Sequence, residues 1–171
     1  MKKLLYLILL LTTLAKSQET YFATIGFDPK LAIKGAYKND ATPVVDIYFN
    51  VGTKLSNNIE VAIGAEYAKL KPHYFATTYY INYVLTSYHK NWSLSFGPEL
   101  HLISRGRFLN QQKINPKLSP GANLTIGYSP FTKFEIRLKG SLVNRLDLKA
   151  MYGSSKLKEN IGIEIRYQIE R

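Results

Sequence analysis

Residues 160–169 read Asn160-Ile161-Gly162-Ile163-Glu164-Ile165-Arg166-Tyr167-Gln168-Ile169. Every odd position is apolar or aromatic, and every even one is polar, charged or glycine. A β-strand sends successive side chains to opposite faces, so this stretch is a strand with one apolar and one polar face. The same period of two runs through Val45–Gly52, Ile59–Ala68, Trp92–His101, Asn123–Tyr128 and Lys133–Lys139. The segment from Phe75 to Tyr88 carries aromatics on both faces. No window keeps a period of 3.6 residues, and neither internal repeats nor linkers interrupt the chain. The fold class is all-β.

Ser56-Asn57-Asn58, His89-Lys90-Asn91 and Ser129-Pro130-Phe131-Thr132 read as tight turns. Longer loops alternate with them at about 71–75, 105–118 and 148–159. Near the N-terminus, Tyr21, Ala23, Ile25, Phe27, Leu31, Ile33 and Tyr37 keep one parity through Pro29. We read one kinked strand there; a turn at Asp28-Pro29-Lys30 would give nine strands instead. One strand brings the count to eight, and an even count lets the first and last strands meet and close a barrel.

A barrel with alternating faces is either soluble with an apolar lumen or membrane-spanning with an apolar outside. The charges decide. On the seven strands after the first, the apolar parity carries none. The other parity carries Asp46, Glu60, Glu66, Glu99, Glu135 and Glu164 with Lys54, Lys133, Arg137, Lys139, Arg145 and Arg166. Small residues such as Gly64, Ser95 and Gly162 stand between them, a mixture that fills a narrow polar lumen. Strands of about ten residues match a tilted membrane crossing. Tyr67, Tyr79, Tyr83, Trp92, Tyr128, Phe134 and Tyr167 share the apolar parity, as interfacial girdles do. The reading is an eight-stranded antiparallel up-and-down transmembrane β-barrel with a polar, plugged interior. A soluble lipocalin-like barrel around a small apolar ligand is the alternative.

The start of the chain fits this destination. Lys2 and Lys3 precede an apolar run from Leu4 to Leu14, and Ala15-Lys16-Ser17 gives a small-x-small cleavage pattern. Residues 1–17 are read as a signal peptide, and 18–171 as the barrel domain. No Cys is present, which removes disulfides, thiolate metal sites and cysteine nucleophiles. The formal net charge is +11. Much of the excess lies in the longer loops, at Arg105, Arg107, Lys113, Lys117, Lys149, Lys156 and Lys158, where contact with lipopolysaccharide or another anionic surface is expected. Nucleic acid is not an expected partner, because no stacking platform adjoins a basic groove.

With signal peptide, eight alternating segments and short turns opposite long loops, the mature chain resembles the small outer-membrane β-barrel proteins of Gram-negative bacteria, of the OmpX and OmpA-transmembrane type. Its closing strand, Asn160 to Arg171, resembles that family's last strand, although the family usually ends in an aromatic residue. The resemblance implies a monomer in the outer membrane, inserted by the barrel assembly machinery, with both termini and the tight turns in the periplasm.

Catalysis has few footholds. Glu99, His101 and Ser104 are close in sequence, as a lipid A hydrolase would require, but Ser104 has the opposite parity and a nucleophile must reach its base. His101 is therefore read as a member of the interior charge network. His73, His89 and His101 lack ligand spacing for a metal. Catalytic, cofactor and metal sites are all expected to be absent.

Overall fold

The computed structural model describes residues 20–34, 43–70, 73–86, 91–106, 114–148 and 156–170. Its elements are β1 (Thr20–Phe27), α1 (Pro29–Lys34), β2 (Asp46–Ser56), β3 (Ile59–Ala68), β4 (Tyr74–Thr86), β5 (Trp92–Arg105), β6 (Ile114–Phe131), β7 (Phe134–Arg145) and β8 (Lys156–Glu170). Each strand pairs antiparallel with its sequence neighbour, and β1 pairs with β8, so the eight strands close into a barrel. The proposed signal peptide and the turn at residues 89–91 fall wholly or largely outside the described residues.

The alternation read from the sequence is the alternation of the wall. In β7, Glu135, Arg137, Ser141, Val143 and Arg145 are buried, while Phe134, Ile136, Leu138 and Leu142 are exposed. Ile25, Phe49, Ile63, Tyr79, Phe96, Ile126, Leu138 and Ile165, one from each strand, are between 42% and 54% exposed. The hydrophobic surface is outside and the charges are inside, the inverse of a water-soluble barrel.

Several elements depart from the reading above. The kinked first strand is a strand followed by a helix. Asp28 Oδ1 accepts the backbone N–H of Lys30 (2.7 Å) and of Leu31 (3.1 Å), and Pro29 occupies the first helical position, where a missing N–H costs nothing. Strands also run further than turn signals suggest. β6 continues to Phe131, so the hairpin turn is Thr132-Lys133 rather than residues 129–132. At the other end β6 begins at Ile114 and β8 at Lys156, which shortens both long loops. The longer β8 also places Glu159 on the outward parity, at the loop end.

One seam is incomplete. β1 stops at Phe27, opposite Ile163, whereas β8 extends back to Lys156. Among the described residues no strand pairs with that side of β8 between Lys156 and Gly162; α1 packs against β8 instead. A second local interruption lies between β4 and β5. The ladder pairs Tyr80 with Glu99 and Tyr83 with Phe96 and omits the residues between, where Pro98 has no N–H to give.

Candidate functional site

The lumen holds three groups of charges, ordered from the end carrying the termini to the end carrying the longer loops. The first centres on Glu60, which is fully buried. Arg166 donates to it through both terminal nitrogens (2.7 and 3.0 Å), and Arg137 Nη2 lies 3.4 Å away. Arg137 also donates to Ser95 Oγ (3.0 Å) and stands 3.5 Å from Glu164. Glu135 faces both arginines at 3.7–3.8 Å and accepts the hydroxyl of Ser93. The Arg166 guanidinium rests 3.8 Å over the ring of Phe22. Two bases and three acids from strands β3, β7 and β8 thus meet across the lumen.

In the second group Glu99 lies between Lys139 Nζ (3.0 Å) and His101 Nε2 (3.1 Å). His101 Nδ1 is 3.8 Å from Glu66, which accepts the hydroxyl of Tyr74 (3.2 Å). Beside it Asn82 donates to Asn123 (2.9 Å), and Asn123 donates to the Gly97 carbonyl (3.3 Å). This bridge serves polar atoms next to the interruption at Pro98.

The third group closes the loop end. Asp147, fully buried in a helical turn after β7, accepts from Arg105 Nε (2.9 Å) and from Arg145 Nε and Nη2 (2.7 and 2.8 Å). Burial alone would raise the Asp147 carboxyl, but the hydrogen bonds and charges of Arg145 and Arg105 hold it below its ordinary value. Both guanidiniums stand 4.8–4.9 Å from the centroid of the Tyr74 ring. An apolar cluster of Ala68, Tyr74, Ala76 and Ile103 sits at the same end.

Of the residues assigned to an interior network, Asp46, Glu60, Glu66, Glu99, His101, Glu135, Arg137, Lys139, Arg145, Glu164 and Arg166 line the lumen. Lys133 does not: it lies in the hairpin turn and is exposed, because strand parity lapses where the chain turns. Arg105 is also misplaced by the sequence reading. It is not a loop cation but a buried one, 6% exposed, because Asp147 lies opposite it. Lys117 and Lys158 are exposed on strand extensions; Arg107, Lys113 and Lys149 fall outside the described residues, as does the side chain of Lys156.

Sequence reasoning missed Tyr48, Tyr74 and Tyr80 as lumen residues, although their parity is that of the charges. Tyr48 reaches across to β1 and β8. A Cβ on Gly26 or Gly162 would collide with its ring or hydroxyl, so those glycines make room for a cross-lumen aromatic. On β5, Glu99 and His101 face the lumen while Ser104 belongs to the other face of the strand, so the three do not converge.

The middle of the lumen is filled, and at the termini end it widens into a concavity of about 400 Å³ lined by Lys54, Ser93, Glu135, Arg137, Arg166 and Gln168. A cavity of about 30 Å³ lies among Asp46, Tyr48, Glu66, His101 and Lys139, room for a water or two. Outside, Tyr83–Phe96, Trp92–Tyr128 and Phe134–Tyr167 form adjacent aromatic pairs with centroids 4.8–5.9 Å apart toward the termini end.

The sequence matches no family model and no curated protein. The structure is similar to solved ones. The N-terminal β-barrel domain of Pseudomonas aeruginosa OprF superposes with a TM-score of 0.63 at 12% identity, covering 89% of this chain and 98% of that one. Outer membrane protein H (OprH) of P. aeruginosa gives 0.60 at 10% identity, with coverage of 89% and 100%. The Yersinia pestis outer membrane protein Ail gives 0.59 at 11% identity, also covering 89% and 100%. An apolar outer wall, a charged lumen, and this likeness agree: in fold, the chain is a small eight-stranded transmembrane β-barrel of the outer-membrane type.

Proposed function

We propose that the protein is a non-enzymatic barrel of the outer membrane that offers a basic rim, at its loop end, to the anionic headgroups of lipopolysaccharide. The observation carrying this reading is the balance of charge left facing solvent there: Arg105 and Arg145 are buried with the acids, and the lysines are not. Asp28, Asp46 and Asp147 are buried. Asp28 caps a helix and Asp147 is held by two arginines. Lys30, Lys69, Lys117 and Lys158 are exposed, with Glu159 the exposed acid among the described residues at that end. The rim therefore carries more positive charge toward solvent than the sequence composition implies, and exposed cations attract an anionic layer over a Debye length. Arg107, Lys113, Lys149 and Lys156 would extend the same rim.

In this orientation the termini and the turns Ser56–Ile59 and Phe131–Phe134 face the periplasm, as short turns do in barrels of this type. A lipid-modifying enzyme is disfavoured by the separation of Ser104 from His101. The test is a titration of the barrel, held in zwitterionic nanodiscs, with purified lipopolysaccharide. The unfolding temperature should rise at low salt, less so at high salt, and hardly at all for a Lys69→Glu/Lys117→Glu/Lys158→Glu variant. A rise that ignores both salt and the three lysines contradicts the reading.

A further inference from the structure

Beside the end of β1, α1 and residues 43–45 overhang the paired wall of β8, β1 and β2 and enclose a concavity of about 540 Å³ on its outside. Ile25, Phe27, Ile47, Ile163 and Ile165, the outward residues of β1, β2 and β8, form its floor, and Ala32 of α1 overhangs it. We propose that this groove holds one acyl chain of an anionic lipid from the leaflet at the loop end.

The occupant follows from where the groove opens. Its floor belongs to the wall that faces hydrocarbon, so what borders it is lipid rather than water. Water inside would find no polar partners on that floor. The one charged residue in its lining, Asp46, is 7% exposed and on the lumen parity. A smooth wall touches a neighbouring chain on one side. A groove surrounds it, and dispersion contacts accumulate with each wall added. The sign of the headgroup follows from α1. Asp28 is buried and committed to the helix N-terminus, whereas Lys30 on the same helix is exposed. A chain in the groove would bring its headgroup to the α1 side, where the exposed charge is positive. The inference rests on the transmembrane wall and shares only Lys30 with the basic rim; the rim is tested at Lys69, Lys117 and Lys158, so either reading can fail without the other.

Trp92 is the single tryptophan, so a Trp92→Phe background accepts reporters. Phe27→Trp places an indole in the groove; Leu138→Trp, opposite Ile163 on β7, places one on the open wall. The barrel is reconstituted in phosphatidylcholine vesicles containing increasing fractions of brominated phosphatidylglycerol. The groove reporter should reach half-quenching at a lower fraction than the wall reporter. Ala32→Phe, which fills the groove, should abolish that difference without altering the wall reporter. Lys30→Glu should remove the preference for brominated phosphatidylglycerol over brominated phosphatidylcholine. Should the Phe27 variant fail to fold, Ile25→Trp against Ile136→Trp makes the same comparison. Equal half-quenching at both sites, or no effect of Ala32→Phe, overturns the acyl site. Weaker quenching in the groove that deepens with protein concentration overturns it in favour of a second copy. An unchanged lipid preference in Lys30→Glu overturns the anionic headgroup.

Discussion

Glu60 illustrates what a buried charge requires in this lumen. Taken from water alone, its carboxylate would cost several kcal/mol; two arginines and their hydrogen bonds offset that cost. Replacing it with glutamine leaves Arg137 and Arg166 buried with one fewer acid. Glu60→Gln should therefore lower stability by about 3–5 kcal/mol in a urea titration in vesicles, whereas Lys133→Ala, in the exposed turn, should change it by about 0–1 kcal/mol. Equal effects would mean that the charges are not sealed from water. Asp147 adds a pH dependence. Its carboxyl titrates below the ordinary value when folded, so its stabilisation is complete above the ordinary carboxylate range and is lost as pH falls through the lowered folded-state value. The gap in urea midpoint between the wild-type protein and Asp147→Asn should be widest near neutrality and shrink below about pH 4. A gap independent of pH would contradict the pairing. Strand parity made Glu60 legible in the sequence. It could not do the same for Asp147, because the residue lies past the end of β7, and without Asp147 nothing marked Arg105 as a buried cation rather than a loop one.

At the scale of elements, the apolar parity determines which changes a strand tolerates. Ile63 lies near the middle of β3 and is 46% exposed, which in this fold means exposed to lipid. Ile63→Arg should impair insertion by about 2–4 kcal/mol if it sits at the bilayer midplane, while Ile169→Arg, near the strand end, should cost about 0–1 kcal/mol. Folded fractions on a cold gel would report both, and equal tolerance would invert the faces. Seven of the eight strands were legible because two-residue alternation survives even where Pro98 interrupts a ladder. Their ends were not. β6 passes through Pro116, Pro120 and Ser129-Pro130, residues that mark turns in isolation, because the neighbouring strands extend the sheet past them. The segment after Phe27 kept strand parity yet folds as α1. There the Asp28 cap and Pro29 outweigh the pattern carried by Leu31 and Ile33, and Tyr37 lies outside the described residues.

At the scale of the whole molecule, the barrel is an inside-out protein in which hydrophobic burial is supplied by the membrane and polar satisfaction by the lumen. A lumen crossed by Tyr48, Arg137 and Arg166 and spanned by paired charges leaves no continuous path, so planar bilayers containing the protein should show no stable conductance of porin size. The central claim is the sidedness of the wall. A chain without cysteine allows single cysteines to be placed and spin-labelled from Glu135 to Val143 along β7 in vesicles. Collision with oxygen, which concentrates in hydrocarbon, should peak at positions 136, 138, 140 and 142 and fall at the positions between, with a water-soluble nickel reagent excluded from those same peaks. Oxygen peaks at 135, 137, 139 and 141, or nickel access along the whole strand, would contradict a barrel that turns its apolar face to lipid and its charges inward.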